Sequence, residues 1–572
     1  MAKRSRSTSR VCLDEPRRIL VLPDQLNERL GPLAEAKRIG HQIVMVESRP
    51  WLARRPYHRQ RIATILVATR FFAEELFWRG IDVEKSEGEM PFGETVRTMS
   101  EKGPPMVVME PAEREMRIEL APLVRDGVLE IIPHDGWLTT RDEFLRACPR
   151  APYRMDAFYR RIRQTHDILM DGDGKPLGGR LSFDADNRRP WRGEPAPPTP
   201  PRFAVGRIKR EVEALIMSKY RDHPGQLDLE AIPGGLDEVE TLWAWARREC
   251  MEHFGPFEDA MSVRSSGLFH TRISAMVNLH RLLPRRVLDD VLAMEIPLSS
   301  KEGFVRQLIG WREFVRHIHV ATDGFREFGE SATPIAKATT GRVGDGGYAR
   351  WSGKRWEDWA EAHPIKWACE PEGIDAGAAP NALDADAPLP PAYWGTPSGL
   401  ACLDNVVRDV WTEGWSHHIT RLMVLGNIAT LLGVSPRELT DWFWIAYIDS
   451  WDWVVEPNVL GMATFAAGEV MTTKPYISGA AYIDRMGDHC AGCAFDPKKN
   501  CPLTRLYWAF LARHAERFDA HPRMRARMGV VLRALEKRSA DDRGTDERTF
   551  VRVRDLLING QRVDGEVGLF SR

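Results

Sequence analysis

Three cysteines, Cys490, Cys493 and Cys501, fall within twelve residues of the chain, in Cys490-Ala-Gly-Cys493-Ala-Phe-Asp-Pro-Lys-Lys-Asn-Cys501-Pro502. Thiolates at this spacing can converge on one metal centre, and a proline directly after the last one is common where iron–sulfur ligands lie. A structural zinc knuckle uses similar spacing, so spacing alone does not choose between the two. Either centre needs a fourth ligand, which must come from Cys12, Cys148, Cys250, Cys369 or Cys402. All five lie far upstream, so the fold has to bring a distant segment against the C-terminal one.

The cysteines read as metal ligands rather than disulfides. Eight cysteines in 572 residues, with no secretory signal, point to a reducing compartment, hence a cytoplasmic location. Met1 to Arg10 is rich in Ser and Arg but has no apolar segment, and residues 1–14 read as a disordered tail. No apolar run reaches membrane-spanning length, and the chain is expected to act as a monomer away from membranes. With a formal net charge of −1, any nucleic-acid face must be a local patch.

A chain this long exceeds one core. Short apolar runs at Arg18 to Gln25, Gln42 to Glu47, Met106 to Met109 and Val128 to Ile132 read as buried strands. Helical spacing at Leu30 to Ile39 and Arg61 to Arg79 alternates with them, which implies a doubly wound parallel sheet. Pro23-Asp24-Gln25 stands where a Gly-rich dinucleotide turn would follow the first strand, so an ordinary nucleotide site is not expected. Residues 183–202 turn to Pro, Asn, Asp and Arg, and beyond Ile208 the pattern is helical except for expected loops at Gly324 to Gly353 and Glu370 to Pro391. The expected division is an α/β domain over 15–145, a connector over 146–207 and a large all-α domain over 208–572 that carries the cysteine cluster at its C-terminal end.

Three segments carry a resemblance: Leu268-Phe-His-Thr-Arg-Ile-Ser274, Leu283-Pro-Arg-Arg286 and Gly310-Trp-Arg-Glu-Phe314. On these the chain resembles the photolyase/cryptochrome family over nearly its full length. That family pairs an α/β antenna domain with a helical domain that holds FAD. The resemblance implies that Thr271 and Ser274 bind the FAD pyrophosphate, with hydroxyls and N–H groups at a helix start, and that Trp311 and Arg312 lie near the flavin. His270 departs from the pattern, since Thr is usual there. Without the family, the same segment is equally well a helix N-cap with no ligand.

Gly414-Trp-Ser-His417-His418-Ile-Thr-Arg421-Leu-Met423 resembles the lesion-pocket helix of (6-4) photolyases. Tyr393-Trp394-Gly-Thr-Pro-Ser-Gly-Leu-Ala-Cys402, Lys474 to Gly479 and the cysteine trio resemble the bacterial iron–sulfur branch of those enzymes. The resemblance implies a 4Fe–4S cluster on Cys402, Cys490, Cys493 and Cys501, with a loop after Cys493 that is short for the branch. It makes His418 the general acid and His417 its partner, because imidazole titrates near neutrality as proton donation requires. Leu422 stands where animal enzymes carry a third His, so the relay must differ. Adjacent residues on a helix lie about 100° apart, so the two rings cannot point the same way.

The same resemblance makes Arg421 and Asn458 flavin-pocket residues, and Trp442 and Trp394 the electron-hopping candidates. Counted without it, nineteen tryptophans mean mostly core packing. An antenna, 6,7-dimethyl-8-ribityllumazine, is implied for the N-terminal domain, where Asp24 and Glu47 end the first two strands and Trp51 narrows the space. The implied activity is light-dependent repair of (6-4) photoproducts in UV-damaged DNA by a FAD lyase. The alternative is a cryptochrome-like photoreceptor without repair activity. A nucleic-acid-binding module with a purely structural cluster is the third reading.

Overall fold

The computed structural model describes residues 13–328 and 377–564. Cys12, Cys369, nearly all of the expected tail, most of the first expected loop and the start of the second lie outside the described residues. The first domain is a five-stranded sheet of β1 (Arg18–Val21), β2 (Gln42–Ser48), β3 (Asp82–Gly88), β4 (Met106–Met109) and β5 (Leu129–Ile132). The order is β3-β2-β1-β4-β5 and every pairing is parallel. Parallel strands need crossovers, supplied by helices Arg59–Trp78, Phe92–Ser100 and Arg114–Arg125 among others. β1 and β4 are buried along their whole length, as the unbroken apolar runs predicted.

Two sequence expectations differ from what forms. β3, Asp-Val-Glu-Lys-Ser-Glu-Gly, carries no apolar run because it is an edge strand, where charge discourages pairing with another chain. The helix expected over Leu30 to Ile39 is a 3-10 turn at Gly31–Glu35 leading into a single turn at Ala36–Ile39, with Pro32 in its first turn.

Within residues 146–207 a helix forms at Met155–Thr165 and buries Phe158, Tyr159 and Ile162. From Arg180 to Gly206 the chain holds only a short 3-10 turn, yet it is strapped down. Asn187 donates to Glu258 (2.9 Å) and Arg202 pairs with Asp228 and Glu230. The rest is helical, and no helix among the described residues is long and apolar enough to cross a membrane.

The two domains meet through buried charge. Glu115, at the start of helix Arg114–Arg125, accepts from Arg55 at 2.5 and 3.0 Å and from Arg54 at 2.8 Å, and Glu119 accepts from Arg54 at 2.6 Å. Asp452 of the helical domain caps that same helix, accepting from the backbone N–H of Arg114 and Glu115. Arg55 lies 3.7 Å over the ring of Trp444, also in the helical domain. Glu313, of the Trp-Arg-Glu-Phe segment, makes a second tie by accepting from the backbone N–H groups of Leu138 and Thr139, just past β5 (both 3.0 Å).

Burial alone would raise the Glu115 carboxyl, but the Arg55 and Arg54 guanidiniums outweigh it and hold it well below the usual carboxylate range. Its contribution is therefore present above that range and is lost only as pH falls through the depressed value. Glu115→Gln takes the carboxylate from two buried guanidiniums and should destabilise the protein by about 3–5 kcal/mol, measured as a lowered denaturant midpoint. An unchanged midpoint would show that the network does not hold the domains together.

Candidate functional site

Helix Ala401–Glu413 ends at Gly414, whose φ of +64° turns the chain, and the His pair follows. His417 is not helical: it is the residue before helix His418–Thr420, with φ −77° and ψ 165°. The 100° argument therefore does not apply. The two rings stand 6.2 Å apart at 69°.

A third imidazole joins them. His270 stacks on His417 (4.5 Å, 9°) and meets His418 edge-on (5.3 Å, 69°). One nitrogen from each ring lies within 4.8 Å of the others. Parallel stacked rings direct their in-plane lone pairs along parallel planes, so His270 and His417 do not share one ion, and the trio is not a chelate.

Burial pushes His270 and His417 well below the usual imidazole range, so both are neutral. His418 is different. Its side chain is 39% exposed and Nε2 stands 3.7 Å from Asp259, whose other oxygen accepts from the Tyr482 hydroxyl (3.0 Å). Burial raises the Asp259 carboxyl, but His418, Tyr482 and Arg188 together bring it below the usual range, so it is a carboxylate beside the exposed ring.

Some of the FAD candidates are linked to one another: Asn278 accepts from Arg312 (3.4 Å) and donates to the carbonyl of Asp449 (3.0 Å), the ion-pair partner of Arg421. Thr271 is buried, and Ser274, at the start of helix Ser274–Asn278, has a buried hydroxyl with no partner. An unmet hydroxyl at a helix start suits a pyrophosphate oxygen. Arg272 has φ +55° and is held by Glu413 and by stacking on Trp415. Arg421 forms a two-point ion pair with Asp449 (3.0 Å each) and donates to the Ser416 carbonyl (2.8 Å). Arg312 lies over Trp137 (4.4 Å) and Trp453 (5.4 Å), and burial pushes it down to about 10. Trp311 is half-buried and packs edge-on against Phe314. Asn458 donates to the Val454 carbonyl (2.7 Å). Four of these residues, Trp311, Arg312, Arg421 and Asn458, sit in or begin wide π-helical turns, at Arg306–Glu313, Arg421–Gly426 and Pro457–Ala463, a distortion frequent at functional sites.

Trp442 is fully buried and Trp394 half-buried, and they do not touch directly. Trp411, a residue the sequence reading missed, lies between them: 5.3 Å from Trp394, stacked, and 6.0 Å from Trp442, edge-on. Trp411 and Trp442 both donate their indole N–H to one carbonyl, that of Tyr393 (2.9 Å each). Neither Trp411 nor Asp259 belongs to a motif, and only the folded chain brings them in.

Cys402, Cys490, Cys493 and Cys501 line one small cavity with Leu400, Ile483, Phe495 and Leu503. Cys402 lies in the first turn of its helix and Cys501 is the N-cap of helix Pro502–Ala520. The short loop between Cys493 and Cys501 closes on Asp496, whose backbone carbonyl accepts from Asn500 and Cys501. Burial raises all three of Cys402, Cys490 and Cys501: Cys402 well above the usual thiol range, with the other cysteines adding to it, Cys490 to about 11, with Asp484 adding to it, and Cys501 to about 12. Three thiols so disfavoured as anions need a cation to become thiolates. Among the described residues, the ligand atoms that gather in threes within 4.8 Å are those of the histidine trio, and the four sulfurs are not such a set. Tetrahedral zinc with 2.3 Å bonds would draw its sulfurs to about 3.8 Å apart. A cluster whose ligands sit on four separate metal atoms spreads them wider.

At the sheet's C-terminal edge, Asp24 is buried, and burial raises it to about 7. Its carbonyl accepts from His280 (2.6 Å) and its carboxyl from the Ala112 N–H (3.4 Å). Glu47 has both oxygens on Arg70 (2.6 and 2.9 Å). Trp51 is buried between Phe92 and Trp451.

Comparison with known proteins matches residues 19–231 to the family model "Deoxyribodipyrimidine photo-lyase-related protein". The chain is 30% identical over 534 residues to the (6-4) photolyase of Agrobacterium fabrum, covering 88% of this chain and 93% of that one. Among solved structures, it is similar to a bacterial class III photolyase from Agrobacterium tumefaciens (TM-score 0.48, 13% identity, 97% of this chain and 98% of that one). It is also similar to an archaeal photolyase from Sulfolobus tokodaii (TM-score 0.45, 12% identity, 95% and 99%).

Proposed function

Because the chain belongs to the photolyase family, we propose that it is a (6-4) photolyase, a light-driven lyase that reverses (6-4) pyrimidine photoproducts in UV-damaged DNA. The observation that carries the lesion class is the exposed His418 set against the Asp259 carboxylate, in a chain 30% identical to a (6-4) photolyase along nearly its whole length. FAD, when bound and reduced, supplies the photoexcited electron that breaks the lesion. Supporting its seat are the unmet Ser274 hydroxyl and the Arg312 and Arg421 guanidiniums, linked through Asn278 and Asp449.

The residues of this chain do the rest. A lesion must leave the base stack to reach such a pocket. His418 Nε2 then gives its proton to the flipped base. Asp259 stands 3.7 Å from that nitrogen, and the buried neutral His417 forms the wall behind it. Arg421, locked on Asp449 and Ser416, keeps the pocket's polar edge fixed. Trp394, Trp411 and Trp442 give a path for reducing equivalents from the half-buried surface inward. The cavity that Cys402, Cys490, Cys493 and Cys501 share supports a metal centre there, assigned as a 4Fe–4S cluster, with a role in holding the C-terminal helices.

Lumazine fits the N-terminal domain least well. Asp24 is available at the strand ends, but Glu47 is taken by Arg70 and Trp51 occupies the space beside it. The enzyme acts as a monomer in the cytoplasm.

Illumination of purified protein with (6-4) and cyclobutane oligonucleotides should restore the (6-4) substrate alone. His418→Ala should retain FAD and lose at least a hundredfold in (6-4) repair, the usual worth of a general acid. Repair at the wild-type rate in that variant would remove His418 from its role.

Cys402→Ala should bind no iron and lose most soluble expression, since a centre tying distant segments stabilises the fold when it binds. Stoichiometric zinc without iron or sulfide in anaerobically purified wild type would overturn the cluster assignment. Trp442→Phe should slow light-driven reduction of oxidised FAD while leaving repair by chemically prereduced enzyme intact. Loss of repair in the prereduced variant would make Trp442 a structural residue instead.

A further inference from the structure

Three imidazoles come from two separate segments, and the least expected is His270. It occupies the segment that otherwise faces a pyrophosphate, and it departs there from the family pattern. Its position is fixed: the ring hydrogen-bonds the Glu258 backbone through one nitrogen, while Nε2 is buried without a partner. Its flat face is taken by His417 at 4.5 Å. The remaining edge meets His418, whose Nε2 faces Asp259 on the opposite side.

The 3.7 Å from His418 Nε2 to Asp259 is a charge contact, longer than a hydrogen bond, so that N–H stays free to turn to a substrate. The other nitrogen, Nδ1, needs an acceptor if the ring is not to spin or change tautomer. Of the groups around His418, Asp259 faces Nε2 and is backed by Tyr482 and Arg188. His417, with Arg421 and His489 beyond it, stacks on His270 rather than reaching His418 through hydrogen bonds. On the His270 side lie Arg272 and the Cys250 thiol, which donates to the His270 carbonyl. Two buried ring nitrogens on this side have no partner, Nδ1 of His417 and Nε2 of His270, and the His270 ring is the nearer to His418, at 5.3 against 6.2 Å.

We propose that His270 is the positioning residue of the proton donor: its unpartnered Nε2 is the acceptor that takes up Nδ1–H of His418 when that ring presents Nε2–H to the substrate. The inference rests on the reading of His418 as donor. The proton account closes. Charged His418 carries two protons, gives the one on Nε2 to the lesion, and is left neutral with Nδ1–H still on His270. Nε2 then holds the lone pair that takes the proton back. His270 itself stays neutral throughout. It does for this site what a third histidine on the His418 helix would do, from a different part of the chain, since Leu422 cannot.

The test uses FAD-loaded full-length protein with isotope-labelled histidine. In the wild type at high pH, nitrogen shifts should show His418 as the Nδ1–H tautomer, and an Nε2–H tautomer would overturn the proposal without any variant. His270→Phe keeps the stacking on His417 but removes the acceptor. It should lower the His418 titration midpoint, and with it the alkaline limb of repair by prereduced enzyme, by about one pH unit, the worth of a lost hydrogen bond to a charged group. His270→Asn restores an acceptor oxygen and should bring both back towards the wild type. Identical His418 titration in all three proteins would sink the idea. The titration does not depend on repair, so wild-type repair by His418→Ala would instead count against His418 as the donor.

Discussion

The Glu115 carboxylate, shared by Arg54 and Arg55, is the contact on which the arrangement of the molecule depends. Charge this deeply buried is costly unless fully paired, and every partner is fixed by something else. Arg55 lies on Trp444, Arg54 reaches Glu119, and the helix that presents Glu115 begins on Asp452 from the other domain. The sheet thus touches the helical domain through groups with specific donors and acceptors as well as through apolar contacts such as Trp51 on Trp451 and Trp137 on Trp453. A second polar run continues inside the helical domain, where Arg437 joins Asp441 to Glu456 and Glu456 meets His319. Together they keep the pocket elements at one distance from the sheet.

Function follows from that rigidity. The candidate pocket is assembled from segments remote in sequence: the 270–274 turn, the His pair, the Arg421 and Asn458 regions. No single helix orients them. Widened turns at Arg421–Gly426 and Pro457–Ala463 re-aim side chains that a regular helix would point elsewhere. The cost of such turns is carried by packing around them, which is why Leu425, Leu431 and Leu460 are wholly buried.

Much of this was legible before folding, and what was not has physical reasons. Strands β1, β2 and β4 announced themselves as apolar runs because both sheet faces are covered. Of the two edge strands, β5 keeps an apolar run although Glu130 and Ile131 are exposed, whereas β3 is written in charges. The helix Met155–Thr165 was missed because a stretch rich in Arg hides its buried Phe158, Tyr159 and Ile162. At the site, motifs pointed to His417, His418, Arg421 and the four cysteines, which the fold gathers in two places. Glu47 is a case of the opposite kind: its strand-end position was readable, but its capture by Arg70, one helix away, was not. Asp259, Trp411 and the contact of His270 with His418 are tertiary facts, and no local pattern in the chain encodes them.

Helix Ala401–Glu413 has thirteen residues and so spans about 20 Å. Cys402 is at its first turn, Trp411 near its last, and the His pair hangs from its end. One rod therefore carries a thiol of the cysteine cavity, a step of the proposed indole path and the mount of the proposed proton donor. A shift in the thiols at one end, on loss of the proposed metal or on oxidation, would be felt as a tilt at the other. On that proposal the cysteine cavity is a calibration point for the pocket, setting where the imidazoles stand without ever approaching them.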